Sequence, residues 1–214
     1  MAAKGERTRA TILQKATELA TVDGLEGLSI GHLASATEIS KSGVYAHFGS
    51  KQELQLATIE TARETFLAEV LRPALSAPKG LARLRAACEA FLSHVERRVF
   101  PGGCFFAAAA AEVGTGDGPV RDAVAEQQSQ WLDLLERLAR EAQSLDQLDR
   151  EEDPAQLAFE LNALLVAANI SFILQGDPAA LGRARTAIEQ RLSDTRPLPA
   201  GGEADEHRER ARAS

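Results

Sequence analysis

The chain has 214 residues and a formal net charge of −7, which excludes a uniformly basic protein that holds nucleic acid by charge alone. Alanine, leucine, glutamate and arginine dominate and β-branched residues rarely cluster, so the composition favours an all-α fold. Two cysteines, Cys88 and Cys104, are too few for a disulfide framework and lack metal-type His/Cys spacing, so we expect a cytoplasmic protein without metal or cofactor.

Residues 7–48 carry the pattern of three helices. Apolar residues recur at three- and four-residue steps over residues 7–21, which predicts an amphipathic helix that ends before Gly24. Ser29 and Ser40 each stand where an N-cap belongs, so they predict the starts of two further short helices. The space between those two helices fits only a tight turn, as in a helix-turn-helix.

A longer helix is predicted from Ser50, which forms a capping box with Glu53, to Pro73. Residues 73–80 are then expected to form a linker. Apolar stripes at helical spacing predict the remaining helices over residues 81–99, 104–113, 120–138, 154–174 and 181–192, which gives about nine helices in all.

The predicted helix over residues 154–174 is apolar on two sides. A monomer of this size can cover one side of such a helix, so the other side predicts a partner subunit. The longest apolar run, residues 161–174, is interrupted by polar residues and is short for a bilayer, so no membrane contact is expected.

The most specific signal is the string IGHLASATEISKSGVYAHFGSKQEL over residues 30–54. It resembles the DNA-binding signature of the TetR/AcrR family of transcriptional regulators. The positions that carry the resemblance are Ile30, Leu33, Ala34, Ile39, Ser40, Val44, Tyr45, His47, Phe48, Ser50, Lys51, Glu53 and Leu54. Together with the helices on either side, the match covers residues 7–71, whereas the remainder resembles the family in architecture only.

Two positions depart from the family pattern. Glu38 stands where the family often has a glycine in the turn, and a left-handed residue without glycine there costs about 1 kcal/mol. Ser42 replaces a common glycine of the recognition helix, and Gly43 follows one place later.

The resemblance implies that the second helix of the motif enters the major groove of double-stranded operator DNA. Small and polar residues at its leading end let the backbone approach the base edges, whereas flanking residues contact phosphates. The predicted DNA-binding residues are Thr8, Arg9, Ser29, Ser40, Lys41, Ser42, Gly43, Tyr45, His47 and Lys51. Phe48 is expected in the core, and Tyr45 could serve either the core or the surface.

The resemblance also implies a homodimer through the last two helices, about residues 154–193. The other helices would then enclose a cavity for a small, largely apolar effector. The candidate ligand-binding residues are Phe66, Phe91, His94, Cys104, Phe105, Trp131, Asn162 and Asn169, each of which has core packing as its alternative role. Cys104 begins a predicted helix, where a thiolate would be stabilised, so thiol sensing is a further alternative.

The sequence thus predicts a helix-turn-helix domain over residues 1–50, an effector-binding and dimerisation domain over 51–194, and a disordered tail over 195–214. The predicted function is a ligand-responsive regulator, a repressor that binds a palindromic operator as a homodimer and is released by a small molecule. The alternatives are a helical protein-interaction module and a redox-sensing regulator. An enzyme is not expected, because no catalytic triad, carboxylate pair or phosphate loop can be assembled.

Overall fold

The computed structural model describes residues 2–194, and the side chains of residues 5–194. The predicted disordered tail lies outside the described residues. Within this range there is no strand, and nine helices follow one another, which confirms the all-α prediction. They are α1 (Ala2–Asp23), α2 (Ile30–Thr37), α3 (Lys41–Phe48), α4 (51–76), α5 (Leu81–Glu96), α6 (Phe105–Val113), α7 (Pro119–Ser144), α8 (Pro154–Leu174) and α9 (Ala179–Asp194).

The predicted serine caps begin α2, α3 and α4. The hydroxyls of Ser29 and Ser40 each accept a hydrogen bond of 3.1 Å from the backbone N–H three residues later, that of His32 and that of Gly43. Ser50 accepts the N–H of Glu53 at 3.1 Å. Each such bond satisfies an otherwise unpaired N–H and stabilises its helix by about 1 kcal/mol, so the helix starts follow from local sequence.

Helices α1, α2 and α3 pack into a three-helix unit that the start of α4 closes. Ile12, Leu33, Val44 and Phe48 are buried between the three helices, and Leu54 contributes the side chain from α4. Phe48 therefore belongs to the core, as predicted. This shared apolar core fixes the orientation of α2 and α3 relative to each other.

Glu38 forms the turn between α2 and α3 in the left-handed conformation, with φ 58° and ψ 22°. Because the family often has a glycine at this position, a left-handed residue was expected here. A non-glycine residue is strained there, because its Cβ crowds the following carbonyl.

Helix α4 continues past Pro73, so the prediction of a linker is wrong for residues 73–76. The helix has three parts: α-helix over Lys51–Phe66, a π-helical segment over Leu67–Leu71, and α-helix over Arg72–Ser76. In the π segment the N–H of Arg72 donates to the carbonyl of Leu67, five residues earlier. The wider turn makes room for the proline ring and for its missing N–H, so the helix is not broken.

Helix α8 packs between α7 and α9, and α5 contacts all three. One side of α8 is buried by Leu157, Leu161 and Leu165. On the opposite side Phe159 is 63% exposed and Leu174 is 79% exposed. The two-sided apolar character of this helix is therefore confirmed, and one side has no cover within the described part of the chain.

The 21-residue length and the composition of α8 would allow it to cross a membrane. The argument from the short run 161–174 is therefore wrong, because the helix begins seven residues earlier, at Pro154. A core or interface helix of a soluble protein has the same character. The packing of α8 between α7 and α9 accounts for its buried side without a membrane.

Candidate DNA interface and effector cavity

The leading end of α3 presents its predicted base-contacting residues to solvent. Ser40, Lys41 and Ser42 are exposed, and Ser40 and Ser42 lie with their hydroxyl oxygens 3.2 Å apart. Tyr45, one turn further, is 57% exposed, so it lies on the surface and not in the core. Gly43 is half-buried, and a Cβ there would lie 3.0 Å from Ile39 and 3.1 Å from the Ser40 hydroxyl, so glycine keeps this end narrow.

Lys41 lies beside the start of α2. The Lys41 side chain and the Ser29 hydroxyl both lie close to Gly31, in the first turn of α2. A Cβ at Gly31 would be 3.6 Å from the Lys41 Cε and 4.0 Å from the Ser29 Oγ. A helix N-terminus carries a partial positive charge and free N–H groups, and a neighbouring ammonium adds to that field. The arrangement suits a phosphate, the contact predicted for Ser29.

Arg9 and Thr8 lie on α1 next to the third helix. The Arg9 guanidinium stacks over the ring of Phe48 at 5.3 Å from its centroid, while Arg9 itself remains exposed. The stacking holds a cation at the edge of the α3 surface. Thr8 is half-buried beside it.

Lys51 already has partners within the chain. Its ammonium donates to the carbonyl oxygen of Glu26 at 2.6 Å and to the Glu26 carboxylate at 3.1 Å. Gln55 donates to the same carboxylate at 3.0 Å, and these two side-chain contacts lower the pKa of Glu26. Lys51 thus joins the start of α4 to the loop before α2, and its contact with phosphate stays a prediction, as does that of the half-buried His47.

Glu112, near the end of α6, was missed by the sequence analysis. Its carboxylate accepts the backbone N–H of Leu25 at 2.6 Å and that of Glu26 at 2.7 Å. Since 87 residues separate the partners, no local pattern could reveal this link. Gly24 gives the carboxylate room, because a Cβ there would lie 2.7 Å from it.

A second link joins the turn before α6 to the end of α1. The N–H of Gly102 donates to the hydroxyl of Thr21 at 3.1 Å. A Cβ on Gly102 would lie 1.8 Å from the Thr21 carbonyl oxygen, so this approach requires glycine. The segment 102–113 therefore touches the three-helix unit at both of its ends.

Five of the eight predicted ligand residues line one small space, which we call the inner cavity. Phe66, Phe91, Cys104, Trp131 and Asn162 surround it together with residues of α6 and α7. Its volume is about 10 Å³, which is enough for about one water molecule. In this conformation the rings pack on each other, and Trp131 donates its N–H to Asn162 at 3.1 Å.

The other three predicted ligand residues do not line the inner cavity. Asn169 accepts the backbone N–H of Cys104 at 2.9 Å, so it positions the start of α6. Phe105 packs on Phe106, with 5.2 Å between ring centroids. His94 is buried among aromatic rings with neither ring nitrogen hydrogen-bonded to a described residue, and burial lowers its pKa to about 4.

A larger space, which we call the outer groove, lies between α4 and α7. Its volume is about 370 Å³, and the π-helical segment forms one wall through Leu67 and Leu71. Gln127 and Trp131 line both the groove and the inner cavity, so they form the partition between them. The sequence analysis did not name Gln127 as a ligand residue, because the sequence does not show that this position of the apolar stripe borders a cavity.

Comparison with known proteins agrees with this architecture. The family model of the bacterial regulatory proteins of the tetR family matches residues 12–58, and that of the Tetracyclin repressor-like, C-terminal domain matches residues 80–188. The chain belongs to the TetR family. TetR-family members are DNA-binding transcriptional regulators, so the chain is a regulator and not an enzyme.

Two curated transcriptional regulators align with this chain over short regions. The HTH-type transcriptional regulator TcmR of Streptomyces glaucescens is 36% identical over 72 residues, 33% of this chain and 32% of TcmR. The HTH-type transcriptional activator FasR of Mycolicibacterium smegmatis is 30% identical over 91 residues, 42% of each chain. The chain thus aligns with less than half the length of either curated relative.

A TetR transcriptional regulator from Chloroflexus aurantiacus shares the fold over a longer range. Its crystal structure superposes with a TM-score of 0.85 at 24% identity, and the match covers 92% of this chain and all of the other. This likeness shows that the chain shares this fold over most of its length.

The expected stabilised thiolate at Cys104 is wrong. Burial raises the pKa of the Cys104 thiol, and this effect outweighs the backbone hydrogen bonds of Ala107 and Phe106 that lower it. Burial likewise raises the pKa of Cys88 to about 12. Burial therefore disfavours the thiolate at both positions, which argues against the redox-sensing alternative.

Proposed function

We propose that this TetR-family chain is a cytoplasmic repressor, which binds a palindromic operator as a homodimer and is released when a small, largely apolar effector binds. The observation that carries the proposal is the exposed leading end of α3, where Ser40, Lys41, Ser42 and Tyr45 face solvent on a buried apolar base. We also propose the predicted division into residues 1–50 and 51–194.

Small polar groups at the start of α3 suit direct readout of DNA. They let the helix enter the major groove, where hydroxyls and Lys41 reach the base edges. Phosphates on either side would meet the start of α2 beside Lys41 and the guanidinium of Arg9. A few cations are enough for operator binding, because phosphate contacts only position the protein on the DNA and base contacts give the sequence specificity.

The uncovered side of α8 supports a homodimer through α8 and α9. Phe159, Ile170 and Leu174 lie exposed on this side at helical spacing. A contiguous apolar stripe of this kind is stabilised by burial against a copy of itself across a two-fold axis. A two-fold dimer places two α3 helices on one face of the DNA, which requires an operator with matching symmetry.

Helix α6 supplies a physical route from effector to DNA. Its start lines the inner cavity through Phe106 and Ala107, and its end holds the loop before α2 through Glu112. An effector that moves α6 therefore moves the three-helix unit. A coupling of about 1–3 kcal/mol, the usual range, changes DNA affinity by roughly 5- to 150-fold.

The test is a gel-shift assay on the DNA that flanks the chain's own gene. We expect specific binding whose logarithmic salt dependence falls by about 0.9 per phosphate contacted. Lys41→Ala should weaken it at least 10-fold, whereas Lys79→Ala, an exposed lysine distant from α3, should not. Loss of the chain in cells should raise transcription of the flanking gene if it represses.

A protein-interaction module remains the rival outcome. It predicts no protected DNA at low ionic strength and no difference between the Lys41 and Lys79 variants. A fall in flanking transcription on loss of the chain would instead identify an activator.

A further inference from the structure

Gln127 is a buried polar side chain whose carbonyl oxygen lacks a hydrogen-bond partner in the described part of the chain. It is 5% exposed, and its Oε1 has no hydrogen bond to any described residue. An unpaired buried carbonyl oxygen is costly, and natural proteins keep few of them. Its place in the partition between the outer groove and the inner cavity therefore points to a donor that arrives from outside.

The outer groove is large enough for a ligand, whereas the inner cavity is not. Ligand sites have volumes of about 300–1,000 Å³, and the groove has about 370 Å³. Its floor contains Trp131, and its walls contain Leu67 and Leu71 from the π segment together with Leu134 from α7. The π segment that accommodates Pro73 thus also forms one wall of the groove, and such segments occur often at functional sites.

The charges at the rim cancel. The lining contains two arginines, Arg63 and Arg137, and two acids, Glu64 and Asp133. Arg63 is also held by the Glu60 carboxylate through two bonds of 2.9 Å. The groove thus carries no net positive field for a carboxylate or phosphate ligand. Its unsatisfied group is an acceptor, so the ligand must bring a hydrogen-bond donor.

We propose that the effector binds in the outer groove and that it is a flat, uncharged aromatic compound with a hydroxyl donor, a neutral phenol. Its ring lies against Trp131 between the leucines of α4 and α7. The Oε1 of Gln127 is buried in the ligand-free conformation, so the Gln127 amide turns toward the groove to accept the hydrogen bond from the hydroxyl. Because the π segment is one wall, the ligand contacts α4, whose start is bonded to the DNA-binding unit through Lys51. The ligand also contacts Gln127 and Trp131, which line the inner cavity together with Phe106 and Ala107, so it reaches α6 through the partition. This inference rests on the proposed ligand response.

The test uses 2-naphthol as the probe and isothermal titration calorimetry on the full chain. Three matched probes accompany it: 2-methoxynaphthalene, which lacks the donor, 2-naphthoate, which is anionic, and decanoate, an anionic acyl chain. We expect 2-naphthol to bind about 10-fold more tightly than its methyl ether, the usual effect of one hydrogen bond. Equal or tighter binding of either anion would overturn the ligand class.

Variants locate the site. Gln127→Leu should weaken 2-naphthol about 10-fold and leave 2-methoxynaphthalene unchanged, whereas Gln156→Leu on the outer surface of α8 should change neither. Leu67→Trp, at an exposed position of the π segment, should block the groove. Ala107→Leu fills the inner cavity only, so the probe should still bind.

The outcomes separate this inference from the proposed function. If Leu67→Trp binds 2-naphthol normally and Ala107→Leu does not, the ligand occupies the inner cavity and the inference is wrong. Absence of 2-naphthol binding also overturns it, whether or not the chain shifts operator DNA. Failure of the gel shift with intact 2-naphthol binding would refute the DNA-binding proposal alone.

Discussion

The Glu112 contact gives a direct test of communication between the effector part and the DNA-binding unit. Its carboxylate accepts two backbone N–H groups, at 2.6 and 2.7 Å, from the loop that leads into α2. A hydrogen bond to a charged group contributes about 1.5–3 kcal/mol when buried, and less at this exposed side chain. We therefore expect Glu112→Ala to lower the free energy of unfolding by about 1–2 kcal/mol.

Comparing Glu112→Gln with Glu112→Ala separates the effect of the negative charge from the effect of the hydrogen bonds. Glu112→Gln retains one acceptor oxygen and should lose about half of that stability, whereas Asp117→Ala, an exposed carboxylate in the next loop, should lose none. Urea unfolding measures the stability. Hydrogen exchange at residues 25 and 26 measures the contact itself, because these two amides are the donors.

The functional consequence follows from the same geometry. If α6 transmits the effector signal through Glu112, the ratio of DNA affinities with and without effector should fall about 5-fold or more in Glu112→Ala, for a coupling loss of about 1 kcal/mol. An unchanged ratio, together with faster exchange at residues 25 and 26, would show that the contact is structural and that α4 alone carries the signal.

Three further predictions follow from the structure. Glu38→Gly should strengthen DNA binding in gel shifts, because it removes a carboxylate near the phosphates, and should raise the free energy of unfolding by about 1 kcal/mol, because it relieves the left-handed strain. Glu38→Gln also removes the charge but keeps the strain, so it should strengthen DNA binding without stabilising the protein in thermal unfolding. His94 has a pKa of about 4 when folded against 6.5 ordinarily, so the unfolded chain binds more protons and stability should fall by up to about 3 kcal/mol from pH 6.5 to 4. His94→Leu should flatten that pH dependence of urea unfolding, and a parallel decline in both proteins would contradict the assignment. Ile170→Glu should convert a dimer into monomers by sedimentation, whereas the exposed Val22→Glu on α1 should not.

Local features were predictable because their causes are local. The three serine caps and the left-handed turn at Glu38 depend on side chains within three residues of the backbone groups that they affect. The two-sided character of α8 was equally visible in the residue pattern. These features fix the helix-turn-helix, whereas the DNA contacts assigned to its surface residues stay predictions.

The continuation of α4 through Pro73 required more than local sequence. Proline favours the end of a helix, and the prediction of a linker followed that preference. In the structure the π segment widens the preceding turn while Val70 and Ala74 stay buried against the core. The burial of two side chains on either side of the proline stabilises the continued helix, and sequence alone does not show that burial.

The effector residues were the hardest to predict because cavity and core use the same side chains. Phe105 and Phe106 are neighbours on α6, and both are buried, yet only Phe106 lines the inner cavity. One residue along a helix turns the side chain by about 100°, so the outcome depends on where the helix sits and not on residue type. Gln127 differs, because its Oε1 is buried without a hydrogen-bond partner among the described residues, and our proposal assigns that oxygen to the ligand. A polar exception in an apolar stripe thus carries information about a ligand site that aromatic residues, which serve core and cavity alike, do not carry.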